Sequence, residues 1–67
     1  MSVAKVTEIS SSSSESFEDA VRQGIARAGR TIHNMQSAWV KEQSVVISGD
    51  TVTEWRVNLK ITFILDE

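Results

Sequence analysis

The chain has 67 residues, 24% of them charged, with a formal net charge of -2, one histidine and no cysteine. So short a chain makes one domain at most, residues 1–67, and buries too little surface for comfortable stability on its own. The missing cysteines exclude disulfides and thiol catalysis, a lone histidine makes no zinc site, and the weakly acidic balance gives no footprint for nucleic acid or an anionic membrane.

Val3, Val6, Thr7 and Ile9 predict a short strand from Val3 to Ile9. The run Ser10 to Ser14 breaks that pattern and reads as a tight connection. Ser13 or Ser14 is the expected N-cap of the next helix, with Ser14, Glu15 and Ser16 in its first turn. At 100° per residue, Phe17, Ala20, Val21, Gly24, Ile25, Ala28, Ile32 and Met35 fall on one arc of about 140°, opposite Arg22, Arg27, Arg30 and His33. An amphipathic helix from about Ser14 to Asn34 is therefore expected. Gly24 costs such a helix roughly 1 kcal/mol against alanine, so it marks a close approach of the helix backbone to a sheet.

Two further strands are predicted, Ser37 to Ser48 and Thr51 to Leu65, joined by the two-residue hairpin loop Gly49-Asp50. In the last strand Trp55, Val57, Leu59, Ile61, Phe63 and Leu65 alternate with Glu54, Arg56, Asn58, Lys60 and Thr62. One face thus packs on the helix, with Leu59 and Phe63 turned toward it, and the other is polar. The fold class is α+β: β-α-β-β with a three-stranded antiparallel sheet. Its last strand must be central, because the first two run the same way, so the spatial order is 1-3-2.

The chemistry-bearing residues are few. Glu15, Glu18 and Asp19 suit the dipole of the first helical turns, and their spacing is not that of an EF-hand loop. Glu18 and Arg22 form an ordinary i,i+4 pair. His33 has no nucleophile or carboxylate partner in sequence and reads as structural. No paired-carboxylate, phosphate-loop or nucleophile pattern is present, so the chain is expected not to be an enzyme. No apolar run approaches the roughly 20 residues that span a bilayer, and the first residues lack an apolar signal core, so a cytoplasmic location is expected. Self-association is the remaining route to stability.

With "KVTEI" at its start, a serine-rich segment before "SFEDAVRQGIARAGRTI" and "WRVNLKITFIL" at its close, nearly the whole chain resembles the dodecin family. The resemblance rests most on Ala20, Ala28, Arg30-Thr31 and the ladder Val57, Leu59, Ile61 and Phe63. It implies a hollow homododecamer in which each helix is partly wrapped by its sheet. It also implies a flavin cofactor, riboflavin or FMN, held at subunit interfaces by a Trp early in the second strand and a Gln in the third. Ser37 stands at the position matching that Trp, and Arg56 at the position matching that Gln. Ser11 replaces the family's Gly ahead of Ser12 and Ser13.

The candidate ligand residues are therefore Ser37, Trp39, Gln43 and Arg56, no metal ligand is assigned, and a calcium-type assembly is the alternative within the family. Trp39 lies two positions after Ser37 and so shares its strand face, where it either packs on a neighbouring subunit or stacks on an aromatic ligand. Arg56 either pairs across strands with a residue such as Glu42 or grips a phosphate or carboxylate. The expected function is small-ligand binding or storage, with a small aromatic or anionic ligand at subunit interfaces and ordinary flavin binding weakened or lost.

Overall fold

The computed structural model describes residues 3–65. Its elements are β1 (Ala4–Ser13), α1 (Phe17–Ala28), β2 (Met35–Ser48) and β3 (Thr51–Ile64). The sheet is antiparallel throughout with order β1-β3-β2, as the chain directions require. Ser48 and Thr51 face each other across the two-residue loop. Gly49 takes a φ of 65° while Asp50 keeps a negative one, the sign pattern of a type II′ hairpin turn.

The serine run differs from its expected role. Ser10 to Ser13 continue β1, opposite Asn58 to Trp55 of β3, and the helix cap is Ser16. A serine strand is favoured here because small side chains are needed on one face and hydroxyls on the other. Ser11 lies under Gly24, where a Cβ added to the glycine would stand 3.0 Å from the Ser11 Cβ. Ser10 donates to Asn58 Oδ1 at 2.8 Å on the opposite face. Ser13, buried at the corner, accepts from the Glu15 amide at 2.9 Å and donates to Asp19 Oδ2 at 2.6 Å. Ser16 then caps the helix by accepting from the Asp19 amide at 3.0 Å.

The helix is also shorter than its apolar periodicity, ending at Ala28 and not near Asn34. The Ala28 carbonyl accepts from both Thr31 (3.1 Å) and Ile32 (2.9 Å), which closes the last turn. Asn34, with φ of 62°, then redirects the chain into β2. Ile32 and Met35 keep the apolar phase of the helix because the turn lies over the same core. His33 is exposed on that turn, five residues beyond the last helical one.

Ala20, Val57 and Leu59 are the centre of the core, flanked by Ile9, Phe17, Val21 and Ile25. Leu59 faces the helix as expected. Phe63 lies on the same face but beyond the helix end, half-buried in a hollow of about 230 Å³ with Thr31, Ile32 and His33. A 12-residue helix is about 18 Å long and a 14-residue strand about 46 Å. The chain is accordingly drawn out, 52 × 19 × 13 Å, with the β2–β3 hairpin reaching past the helix.

Candidate functional site

The side of the sheet away from the helix is polar, and the strand registers place its residues in rows. Val6, Thr62 and Ser37 form one row, and Glu8, Lys60 and Trp39 the next. Ser10, Asn58 and Glu42 follow, then Ser12, Arg56 and Ser44. Ser37 and Trp39 therefore share this face, as their spacing implies. Ser37 lies on the edge strand and also borders a hollow of about 340 Å³ lined by Ile25, Met35, Gln36, Ala38 and Ile61.

Arg56 is on the same face two rows from Trp39, since Lys60 and Arg56 are four residues apart on β3, about 13 Å. It does not pair with Glu42. Its guanidinium is 3.4 Å from Glu54 Oε2, two residues earlier on the same strand, while Glu42 sits opposite Asn58. Along one strand face, residues i and i+2 are nearer than a diagonal partner displaced by a bulge. A hollow of about 300 Å³ lies between Arg56 and Ser10, Ser11 and Ser12.

Gln43 is not brought to this group. It pairs with Val57 and so points to the helix side. The cause is a β-bulge between Val40 and Glu42, which inserts one residue and reverses the parity of the rest of β2. The same insertion puts both Val40 and Val45 on the apolar side, opposite Leu59 and Trp55.

Three residues that the sequence reading did not single out surround Trp39. Lys60 Nζ lies 5.8 Å from the centre of the indole ring. Glu8 stands opposite Lys60 in register, yet its carboxylate is 3.5 Å from Lys41 Nζ. Lys41, two residues after Trp39, keeps the polar face that plain alternation gives it, where its contact with Glu8 holds it at the bulge.

The acidic residues of the first helical turns are occupied locally. Glu18 pairs with Arg22, and the Asp19 carboxylate accepts from Ser13 and Gln23. Among the described residues, no group of three or more His, Asp or Glu side chains is placed to hold a metal ion. None of their helices is long and apolar enough to cross a membrane.

The Dodecin family model matches residues 3–66. Among solved structures, a dodecin from Streptomyces davaonensis is 35% identical, with 98% of this chain and 97% of that one covered and a TM-score of 0.94. A point variant of the Thermus thermophilus dodecin is 33% identical over the full length of both chains, with a TM-score of 0.95. The calcium-chelating antigen calcium dodecin of Mycobacterium tuberculosis is 26% identical over 96% of this chain and 91% of that one, with a TM-score of 0.82. No curated protein sequence matches the chain. A family match over almost the whole chain, on a β-α-β-β fold with sheet order 1-3-2, places this protein in the dodecin family.

Proposed function

We propose that this chain is a non-enzymatic, cytoplasmic, self-associating protein that binds or stores a small aromatic or anionic ligand where subunits meet, and that flavin is a weak ligand for it. The observation that carries this reading is the placement of Ser37 and Arg56 on the helix-free face, at positions that the family resemblance matches to a flavin-stacking Trp and a flavin-binding Gln. Serine has no π-face. Arginine donates hydrogen bonds but accepts none, so it does not reproduce contacts that need both. Losing about 2 kcal/mol from each of two subunits sharing a site weakens affinity by roughly a thousandfold. Assembly into a homododecamer accords with the apolar residues Val40, Val45, Ile47 and Val52, which α1 leaves exposed.

A second reading, flavin held through Trp39, is favoured by the half-exposed indole on the same face as Ser37. Fluorescence titration of riboflavin separates the two. A dissociation constant of tens of micromolar or weaker is expected, with Ser37→Trp plus Arg56→Gln tightening it. Submicromolar binding by the unmodified protein overturns the first reading, and its loss in Trp39→Ala establishes the second. A stable folded monomer at micromolar concentration in light scattering would remove the assembly.

A further inference from the structure

Trp39 is 50% exposed on the solvent side of a sheet, and its surroundings are unevenly charged. Lys41 and Lys60 contribute two ammonium groups, and Glu8 one carboxylate. Glu8 turns its carboxylate to Lys41 although Lys60 is its register neighbour. Among the described residues Lys60 then has no ion-pair partner, and its ammonium rests on the indole instead. An ammonium over a ring is a modest interaction at an exposed site, readily exchanged for a charged hydrogen bond to an anion.

The geometry points to a platform at Trp39, Lys60 and Lys41 that selects planar aromatic ligands bearing a phosphate or carboxylate over neutral ones. The ring stacks on the indole, and the anionic group draws Lys60 off it, with Lys41, two residues after Trp39 on the same strand, adding positive charge. A cationic ring is disfavoured because Lys60 already occupies the attractive position over the indole. Glu42 lies one row away and opposes an anion, which limits the preference. The inference rests on the reading that a small ligand is taken on the helix-free face, and it adds the sign of that ligand's charge and the residues that read it.

FMN and riboflavin differ by a single phosphate monoester, and both can be titrated into the assembled protein by flavin fluorescence at low ionic strength. FMN is expected to bind about tenfold tighter, a preference that shrinks as salt shortens the Debye length below about 10 Å. Lys60→Gln should bring the two flavins within about twofold, Lys60→Arg should keep the preference, and Glu42→Gln should widen it. Trp39→Ala should weaken both flavins together. Particle size and circular dichroism of Lys60→Gln, unchanged from the parent, show that charge and not folding has been altered. Equal affinities in the parent, a preference that survives Lys60→Gln, or no saturation by either flavin up to millimolar concentration overturns the inference. Equal affinities in the tens of micromolar do so while leaving weak flavin binding intact. Submicromolar riboflavin binding instead overturns weak flavin binding, and the FMN-to-riboflavin ratio still decides the platform.

Discussion

The helix side of the sheet has two halves made of similar residues with different fates. Val57 is 1% exposed under α1, whereas Val52, five residues earlier on the same strand and on the same side, is 37% exposed. Val52 reaches that side through a register shift near the hairpin end, where it pairs with Ile47, itself 61% exposed. Sequence pattern makes both halves equally apolar, and helix length decides which one is covered. A 12-residue helix shields the part of the sheet built from β1 and the second half of β3 and leaves the hairpin arm bare. Val40, Val45 and Val52 are 37 to 43% exposed, so covering what remains of each would contribute about 0.6 kcal/mol or more, which is the physical incentive for association.

The sharpest break of that comparison is Leu59→Ala against Val45→Ala. Leu59 sits at the core centre, so its truncation should cost about 2 to 5 kcal/mol in chemical denaturation, and a loss below about 1 kcal/mol would mean the core is misplaced. Val45 is on the bare arm, and its truncation should cost less than about 1 kcal/mol where nothing covers it. A loss comparable to that at Leu59 would show that another subunit covers the arm.

A smaller effect is expected at the contact between helix and β1. Alanine at position 24 gains roughly 1 kcal/mol in helix propensity, but its Cβ would meet Ser11 Cβ at 3.0 Å, and such overpacking costs about 1 to 3 kcal/mol. Gly24→Ala should therefore be net destabilising by up to about 2 kcal/mol, and adding Ser11→Gly should recover most of it. Thermal unfolding of the single and double variants checks this, and a stabilised Gly24→Ala would refute the tight approach.

The strand order and hairpin were legible because chain direction and the Gly49-Asp50 loop leave few alternatives, and Gly24 correctly marked the close approach. The helix ends were not. The periodicity of Ile32 and Met35 continues through a turn packed on the same core, and serine favours caps, which masked the use of Ser10 to Ser13 as a strand. At the site, Ser37 and Trp39 were placed by plain alternation, since no bulge separates them. Gln43 was hidden by the bulge after Val40, whose position depends on pairing with a strand that comes later in the chain, whereas Lys41 and Lys60 stand where alternation and counting back from the hairpin loop put them. Local pattern carries no record of such a register change.

The smallest expected effect lies on the back of the helix, which neither half of the sheet touches. Glu18 and Arg22 form an i,i+4 ion pair whose side chains are 71% and 75% exposed. In solvent such a pair gains little, because water and salt screen the attraction and two long side chains lose freedom to hold it. Arg22→Gln removes the pair while leaving Glu18 near the helix N-terminus, where its charge still suits the dipole. The loss should be about 0.3 to 0.5 kcal/mol at low salt and should vanish near 1 M. A double-mutant cycle with Glu18→Gln, run at both salt concentrations, isolates the term. A coupling above about 1 kcal/mol that resists salt would mean that the pair is shielded from solvent in the assembled particle, and that the helix back, like the hairpin arm, is a subunit contact.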